Sequence, residues 1–323
     1  MKVGKIKLAI IGATGLVGQT FIHILQEYKD EDFDVMLFAS KSSKNKKIKL
    51  NDKNYVVHEL NENSFNEIDY ACFFTSANIS KQYIPIALSK NVKVIDNSSA
   101  FRMEKNVPLV AYGVNENETK NKNLVANPNC CVIQSVILLN ALRKFNILKV
   151  TYNTYQSVSG SGKQGIDDLL RCRKGLVPLL YETDISFSCI PKIGEIEENG
   201  FSDEENKMIN ETKKILRKDI DIVATCVRVP VMFSHGVSID IKLKEEFTTR
   251  EILNELQKNK NIVLCDKISP SSVLSCKNDK VYVGRIRKHK NRLLLYCVAD
   301  NIRVGAATNA YLILKHMIKE NYE

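Results

Sequence analysis

The first third of the chain alternates short, continuous apolar runs with longer segments in which apolar residues recur every three to four positions. Strands that are buried on both faces have continuous apolar runs, whereas amphipathic helices have the longer period. The alternation predicts an α/β domain with a parallel, doubly wound sheet. The predicted strands are residues 6–11, 34–39, 69–75 and 92–95, with a helix to about residue 28, a lysine-rich loop after the second strand and a helix at about 79–89.

Downstream of residue 128 the pattern changes to longer strands of alternating polarity. Two predicted helices, 203–217 and 249–258, each begin at a capping box, in which a hydroxyl and a carboxylate three residues later satisfy free backbone N–H groups. We expect an α+β domain with an antiparallel sheet at 129–300, one face of which is a candidate dimer interface. Residues 1–128 and a C-terminal helix, within about 301–323, form the predicted first domain. The predicted strands are 149–156, 222–229, 237–243, 280–287 and 293–299, and the capping boxes are Ser202/Glu205 and Thr248/Glu251.

Composition agrees with a globular protein, since 44% of the 323 residues are hydrophobic and 26% are charged. The formal net charge of +10 comes from lysines spread over nearly every polar segment, so no nucleic-acid partner is expected. No apolar run approaches the roughly 20 residues that span a bilayer, so no membrane partner is expected either. The basic N-terminus precedes an apolar stretch that is too short for a secretory signal, which predicts a cytoplasmic location.

The chain has nine cysteines, an odd number, and most of them lie in apolar surroundings. A CxxC pair is absent from the sequence and histidines are few, so neither a disulfide framework nor a metal site is expected. Most of these thiols are predicted to be reduced, buried and unreactive.

A glycine-rich turn, GATGLVG, joins the first predicted strand to the first predicted helix. In a Rossmann-type domain such a turn lets the backbone approach a pyrophosphate, which lies at the positive N-terminus of the helix. The alternative is a turn that only connects two elements. The predicted phosphate-binding residues are Gly12, Ala13, Thr14, Gly15, Leu16, Val17 and Gly18.

The segment after the second predicted strand bears on the choice between NAD and NADP. An acidic residue there would bind the ribose hydroxyls of NAD, but this chain has FASKSSKNKK instead. Hydroxyl and ammonium groups suit a 2′-phosphate, so NADP is the predicted cofactor. The alternative is an exposed basic loop without a ligand. The residues concerned are Ser40, Lys41, Ser42 and Lys44.

Cys130 stands between a turn, ANPN, and a long apolar helix. A thiol at a helix N-terminus is stabilised as the thiolate, which lowers its pKa and makes it nucleophilic. Cys131 points about 100° further around the helix and is predicted to be buried. For an isolated cysteine the buried, inert thiol would be the preferred interpretation. The turn and the neighbouring nucleotide fold favour a reactive Cys130.

Several long motifs occur in a fixed order along the chain: ANPNC, TYQSVSGSGKQGID, ATCVRVPVMFSHGVSIDI and ADNIRVGAATNA. Together with IDNSSAFRM and VGRIRK, they resemble the successive motifs of the aspartate-β-semialdehyde dehydrogenase family, from about Lys7 to the last helix. The resemblance implies NADP- and phosphate-dependent interconversion of L-aspartate-β-semialdehyde and L-aspartyl-4-phosphate, for lysine, methionine and threonine biosynthesis. It also implies a homodimer formed through the second domain.

The resemblance assigns roles to individual residues. Cys130 matches the nucleophile that forms a thioester, and His235 matches the acid–base histidine. Gln156 and Asn129 match positions that orient the substrate and the acyl group. The substrate-binding residues that it implies are Arg228 for the α-carboxylate, Glu204 for the ammonium, Lys207 and Arg102 for phosphate, and Asn97. The further cofactor-binding residues that it implies are Ser76, Ser159, Gly160 and Asn301.

The chain departs from the family pattern near the expected cofactor. Ser42 stands where an arginine is usual, and Asn78 stands where a glycine is usual. Asparagine tolerates positive φ, so a turn is still expected at Asn78. These departures leave the cofactor preference open and do not touch the proposed chemical residues.

Two other functions compete with this interpretation. N-acetyl-γ-glutamyl-phosphate reductase uses similar thioester chemistry, but a free α-ammonium suits Glu204 better than an acetylated nitrogen does. Without the resemblance, Glu204 and Lys207 would be interpreted as an i,i+3 surface ion pair. A non-catalytic nucleotide-binding relative is the other alternative, because fold alone does not determine function. Cys130→Ser distinguishes an enzyme from this non-catalytic relative, since only an enzyme has turnover to lose.

Overall fold

The structure of the chain is a computed structural model that describes residues 5–29 and 33–322. The chain divides into two compact units. The first unit contains the residues up to Pro128 and those from Ala306 onward, and the second contains Asn129–Gly305. Each unit has its own sheet.

The first unit is built on a seven-stranded sheet. Its elements, in chain order, are β1 (Ile6–Ile11), α1 (Leu16–Glu27), β2 (Phe33–Ala39), β3 (Lys47–Leu50), β4 (Lys53–Glu59), β5 (Tyr70–Phe73), α2 (Ala77–Ser89), β6 (Lys93–Asp96) and β7 (Leu124–Ala126). The strand order is β3-β4-β2-β1-β5-β6-β7, and the neighbouring strands are parallel except for the β3–β4 hairpin. The predicted α/β sheet is confirmed.

The core of this unit follows from the apolar runs. β1 and β5 are almost wholly buried, as expected for central parallel strands. The C-terminal helix, Thr308–Tyr322, belongs to the same unit, and Tyr311 packs its ring against Phe21 of α1. Hydrophobic residues of the sheet, α1 and this helix form one buried cluster.

The structure corrects two predictions in the first unit. Part of the lysine-rich segment that we predicted as a loop forms β3, which pairs with β4 in a hairpin. This hairpin lies at the edge of the sheet, and its exposed charged residues obscure the alternation of polar and apolar residues that is typical of a strand. The positive-φ turn expected at Asn78 is wrong, because Asn78 lies in the first turn of α2. That helix begins at Ala77, two residues before its predicted start, after an extended Ser76.

The second unit is built on a six-stranded sheet flanked by helices. Its elements, in chain order, are α3 (Cys130–Ala141), β8 (Ile147–Gln156), α4 (Gly162–Cys172), α5 (Asp203–Leu216), β9 (Asp221–Arg228), β10 (His235–Leu243), α6 (Thr249–Gln257), β11 (Ile262–Leu264), α7 (Ser272–Ser275), β12 (Val281–His289) and β13 (Arg292–Ala299). The strand order is β11-β12-β13-β10-β8-β9. Both predicted capping boxes are confirmed.

The second sheet is mixed rather than purely antiparallel. The β8–β9 and β11–β12 pairs are parallel, because α4 and α5 lie between β8 and β9 in the chain, and α7 lies between β11 and β12. Helix α4 was missed in the sequence, since its glycines Gly162 and Gly165 lower the intrinsic helix propensity. Helix α3 is buried on nearly every side and packs between the sheet and α5.

No helix in the part of the chain that the structure describes is long and apolar enough to cross a bilayer.

Candidate active site

Three neighbouring strands of the second unit bring polar side chains to one end of the sheet. Gln156 ends β8, Arg228 ends β9, and His235 begins β10. In the sheet register Gln156 lies opposite both Arg228 and His235. Because β8 and β9 are parallel and β10 is antiparallel to β8, the C-terminal ends of β8 and β9 lie beside the N-terminal end of β10. Residues from three separate motifs therefore meet at the same end of the sheet.

Cys130 is the first residue of α3, as the sequence pattern predicts. Asn129 caps this helix, and its side-chain oxygen accepts hydrogen bonds from the backbone N–H groups of Cys131 at 2.9 Å and Val132 at 3.4 Å. The Cys130 side chain is partly exposed, whereas Cys131 is fully buried, which confirms the prediction for Cys131. The first of the two cysteines at the helix start is therefore the less buried one.

The thiol of Cys130 lies in a setting that favours its ionised form. The Cys130 and Cys131 sulfurs and a ring nitrogen of His235 all lie within 4.8 Å of one another. Hydrogen bonding from the Cys131 thiol, which outweighs the opposing effect of burial, and the nearby His235 hold the pKa of Cys130 well below its usual range. Burial raises the pKa of Cys131 and raises that of Cys297 to about 12. Of these thiols, Cys130 is the one whose surroundings favour the thiolate.

His235 is buried, and both its ring and its backbone carbonyl accept hydrogen bonds. The backbone N–H of Ser157 donates to His235 Nδ1 at 2.9 Å, and the Gln134 amide of α3 donates to the His235 carbonyl at 3.1 Å. Gly160 lies against the same ring, since a Cβ there would be 3.3 Å from His235 Nε2 and 2.6 Å from Arg228 Nη1. The glycine allows the imidazole and the guanidinium to occupy the same small region.

Charged groups flank the thiol on the second unit. The Glu204 carboxylate is buried and accepts a hydrogen bond from the Asn129 amide at 2.9 Å. Burial opposes its ionisation, but Lys207, hydrogen bonds from Asn129 and Gln156, and Arg228 together hold the pKa of Glu204 below its usual range. Lys207 Nζ lies 3.6 Å from Glu204 Oε2, as expected for an i,i+3 pair. The site thus holds an ionised carboxylate between cations.

Ser159 and Asn301, predicted as cofactor-binding residues, hold the loops around His235. Both are buried, and the Asn301 amide donates to the Ser159 hydroxyl at 3.0 Å. The Asn301 oxygen accepts from the backbone N–H of Ser234 at 2.9 Å. Their visible contacts support the loop that leads into β10.

The glycine turn of the first unit has a shape that fits a pyrophosphate. Gly12 has φ of 84°, and a Cβ there would lie 2.3 Å from the Phe74 carbonyl oxygen. Gly15 precedes α1 and has no side chain, so it makes no capping hydrogen bond to the first-turn N–H groups. A Cβ on Gly18 would lie 2.3 Å from the Gly12 carbonyl oxygen. The backbone therefore leaves room for a phosphate at the helix N-terminus.

The segment after β2 offers hydroxyls and cations. The Ser40 and Ser42 hydroxyls lie 3.0 Å apart in a short 3₁₀ turn, and Lys41 is exposed. Lys44 forms an ion pair with Glu59 at 3.3 Å, which offsets part of its charge. Ser76 immediately precedes α2, and its side chain makes no capping hydrogen bond.

Arg102 and Asn97, predicted to bind substrate, lie together in the first unit. Arg102 is buried, and its Nη2 donates to the Asn97 carbonyl at 2.9 Å. The Asn97 side-chain oxygen accepts from the Asn127 amide at 2.6 Å. These bonds hold both residues beside the carboxyl end of β6.

Sequence reasoning missed two residues that support the thiol site. The Glu211 carboxylate is buried and accepts from the Asn129 backbone N–H at 2.6 Å, which ties α5 to the start of α3. Glu204 and Glu211 are seven apart and so share one helix face, a spacing that could have identified Glu211. The other missed residue is Ser157, next to Gln156.

Comparisons with known proteins give a consistent result. Residues 7–122 match a family model described as semialdehyde dehydrogenase, NAD binding domain, and residues 139–304 match semialdehyde dehydrogenase, dimerisation domain. Aspartate-semialdehyde dehydrogenase of Aquifex aeolicus is 39% identical over 97% of this chain and 98% of its own. The enzyme of Campylobacter jejuni is 37% identical over 98% of each chain.

A solved structure gives the same result. The crystal structure of aspartate semialdehyde dehydrogenase II from Vibrio cholerae complexed with ASA has a TM-score of 0.94 and 34% sequence identity. The alignment covers 98% of this chain and 99% of that one. The fold is therefore shared over nearly the whole length.

Proposed function

Because this chain belongs to the aspartate-semialdehyde dehydrogenase family, whose members are oxidoreductases acting on an aldehyde, we propose that it interconverts L-aspartate-β-semialdehyde and L-aspartyl-4-phosphate. The proposed reaction uses NADP and phosphate and proceeds through a thioester on Cys130. It would serve lysine, methionine and threonine biosynthesis. The observation that carries the proposal is the partly exposed Cys130 at a helix start, beside His235 and Cys131.

Cys130 performs the covalent step. In the oxidising direction its thiolate attacks the aldehyde carbon, which forms the S–C bond and moves the carbonyl electron pair to oxygen. Bound NADP+ would supply the hydride acceptor, and loss of hydride restores the C=O bond as a thioester. Phosphate then attacks the thioester carbon, and the Cys130 thiolate leaves. His235 is the proposed acid–base group, which would interact with the oxygen of the reacting carbonyl.

The charged groups of the second unit fit the two ends of an amino acid. The Arg228 guanidinium is buried at the sheet edge and suits an α-carboxylate, which it can bind through two parallel hydrogen bonds. The ionised Glu204 carboxylate suits an α-ammonium group. Lys207 is the proposed phosphate ligand of this unit, and Arg102 of the first unit is the second proposed cation. We also propose that Gln156 and Asn129 orient the acyl group, and Asn97 the substrate.

NADP is the proposed cofactor, and the geometry of the first unit supports a dinucleotide there. The uncapped N-terminus of α1 and the close approach of Gly12 fit a pyrophosphate. Ser40, Lys41 and Ser42 would bind the 2′-phosphate, with a smaller contribution from the Glu59-paired Lys44. We also propose Ser76, Ser159, Gly160 and Asn301 as residues near the nicotinamide end.

A homodimer is proposed for the second unit. The segment between α4 and α5 exposes large apolar side chains, and Val177, Leu179 and Phe187 are 74%, 79% and 89% exposed. When several exposed apolar side chains form a contiguous patch, that patch marks an interaction surface, and this segment is the candidate for one. The family model for this unit is a dimerisation domain, which makes a second copy of the chain the proposed partner. Sedimentation of the purified protein measures its mass directly.

The rival substrate, N-acetylglutamate semialdehyde, lacks a free ammonium group. An acetylated nitrogen carries no charge, so it could not form the ion pair with the Glu204 carboxylate that a free α-ammonium group would form. The arrangement therefore favours the free amino acid.

The experiment that tests the proposal is an assay of NADP+ reduction with L-aspartate-β-semialdehyde, with and without phosphate. Parallel reactions use N-acetylglutamate semialdehyde as substrate and NAD+ as cofactor. We expect phosphate-dependent activity on the free amino acid with NADP+. Activity on the acetylated compound alone would transfer the assignment to the reductase.

A further inference from the structure

Ser157 occupies the junction between β8 and the turn that contains Gly160, and all of its polar groups are engaged. Its N–H donates to His235 Nδ1 at 2.9 Å, and its carbonyl accepts from Arg228 Nη1 at 2.8 Å. Its hydroxyl lies 3.1 Å from the same His235 nitrogen and 3.0 Å from the Ser159 hydroxyl. Ser157 is fully buried, so these contacts are shielded from solvent.

The bond from the Ser157 backbone determines where a neutral His235 carries its proton. A hydroxyl can donate or accept, but a backbone N–H can only donate. His235 Nδ1 must therefore present its lone pair to Ser157. A neutral imidazole has one ring proton, so that proton is on Nε2.

Because Ser157 occupies Nδ1, Nε2 is the ring nitrogen left to interact with a substrate. His235 Nε2 is buried and has no hydrogen-bond partner among the described residues. An imidazole nitrogen lies within 4.8 Å of the Cys130 and Cys131 sulfurs. A buried N–H without a partner is costly, and a substrate oxygen next to Cys130 would satisfy it.

We propose that Ser157 is a positioning residue whose backbone N–H fixes His235 as the Nε2–H tautomer, so that a neutral His235 donates a hydrogen bond to the reacting oxygen. This deepens the proposed function and rests on it. A neutral imidazole can polarise a carbonyl in this way. Donors aimed at developing negative charge are among the strongest contributions to catalysis.

The reaction balances without a proton passing through His235. Thiolate attack on the aldehyde gives an alkoxide, and loss of hydride from that alkoxide gives the neutral thioester. The later attack by phosphate expels the thiolate again. When Cys130 reacts as the thiolate, His235 only needs to stabilise the alkoxide. This role differs from the proton-transferring role that the family resemblance implies.

The same tautomer disfavours a metal ion at this cluster. The two sulfurs and the imidazole have a spacing that a zinc ion could bridge. A zinc ligand must offer a lone pair, but the Nε2–H tautomer offers a proton on the side away from Ser157.

The direct test is the tautomer in the resting enzyme. Protein labelled with [15N]histidine contains five labelled side chains, and a His235→Gln variant identifies the His235 signals. We expect long-range 1H–15N spectra at neutral pH to show a protonated Nε2 and an unprotonated Nδ1. A proton on Nδ1, alone or together with Nε2, overturns the proposal. Because substrate is absent, the result does not depend on the proposed reaction.

A matched pair of variants tests the consequence for catalysis. Ser157 has φ of −64° and ψ of 154°, which suit proline, and it follows an extended strand residue. Ser157→Pro removes the N–H and the hydroxyl, whereas Ser157→Ala removes only the hydroxyl. Both keep the carbonyl that accepts from Arg228.

We expect kcat of Ser157→Pro to fall on the order of 10²-fold with little change in KM, and the fixed Nε2–H signal to be lost. Ser157→Ala should keep the tautomer and stay within a few-fold of the wild type, roughly the effect of one neutral hydrogen bond. A folded Ser157→Pro enzyme with the kcat of Ser157→Ala contradicts the proposal. If the proline variant does not fold, the proposal is still tested by the tautomer of His235 in the spectra of the wild type and of Ser157→Ala.

Discussion

The nucleotide turn and the thiol site are built in different ways. The turn of the first unit is one contiguous segment, from Gly12 to Gly18, so the residues that shape it are also neighbours in the sequence. The thiol site gathers Cys130, Gln156, Arg228 and His235 from four elements, through the register of three strands and the start of one helix. Damage to the turn should be local to nucleotide binding, whereas damage to the thiol site should spread among its residues.

The largest expected effect is at the nucleophile. Cys130→Ser should lower turnover on the order of 10³-fold or more, because a hydroxyl at this position is a far weaker nucleophile than a thiolate. Nucleotide binding, measured by titration of intrinsic tyrosine fluorescence, should stay unchanged. Cys189→Ser, at an exposed cysteine, is the control and should keep full activity. Turnover that survives Cys130→Ser would remove the thioester from the account.

The corresponding change in the first unit is Gly12→Ala. Its Cβ would lie 2.3 Å from the Phe74 carbonyl oxygen, and φ of 84° is strained for alanine. We expect NADP affinity to fall by about 10- to 100-fold, roughly the loss of one or two good phosphate contacts. The rate at which iodoacetamide alkylates Cys130 should stay unchanged without nucleotide. Coupled loss of both properties would show that the two regions are not separable.

Gly160→Ala tests the shared packing of the thiol site. The added methyl would lie 2.6 Å from Arg228 Nη1 and 3.3 Å from His235 Nε2, so the guanidinium must move. Steady-state kinetics should show a rise in KM for the semialdehyde of about tenfold, the effect of weakening a charged hydrogen bond. A smaller fall in kcat should accompany it. Wild-type kinetics in a correctly folded variant would show that Arg228 does not bind the substrate.

The Cys131 thiol is expected to set the ionisation of its neighbour. Its hydrogen bond is the largest cause of the lowered pKa of Cys130, so alkylation of Cys130 should persist to a pH well below the usual thiol range. Cys131→Ala removes the bond, and the alkylation profile should then move to higher pH. Peptide mass spectrometry assigns the alkylated residue. An identical profile in the variant would leave His235 and the helix start as the causes.

The smallest expected effect concerns the cofactor loop. Ser42→Arg restores a guanidinium at a position next to Ser40 and Lys41, where a 2′-phosphate is proposed to bind. The ratio of kcat/KM for NADP+ over that for NAD+ should rise several-fold, since an exposed ion pair contributes little. A fall in that ratio would place the 2′-phosphate elsewhere.

Local patterns in the sequence predicted much of the fold. The apolar run of β1 and the Ser202/Glu205 capping box depend on neighbouring residues and were confirmed. The β3–β4 hairpin and α4 were missed, because exposed lysines and glycines mask their periods.

The thiol site was only partly predictable. The position of Cys130 at a helix start follows from the ANPN turn before it. The alignment of Gln156 with Arg228 and His235 depends on strand pairing across more than 70 residues, which no local pattern encodes. For that reason the contacts of Ser157 became visible only in the structure, whereas the spacing of Glu211 from Glu204 on one helix was already present in the sequence.

The central claim, a thioester on Cys130, is tested most directly in a reaction without phosphate. Enzyme mixed with L-aspartate-β-semialdehyde and NADP+ should release about one equivalent of NADPH in a burst, as expected for an acyl-enzyme that accumulates. Mass spectrometry should place an acyl group on the peptide that contains Cys130, and added phosphate should remove it. Phosphate-dependent turnover without such an adduct, or with the adduct on Cys131, would contradict the account.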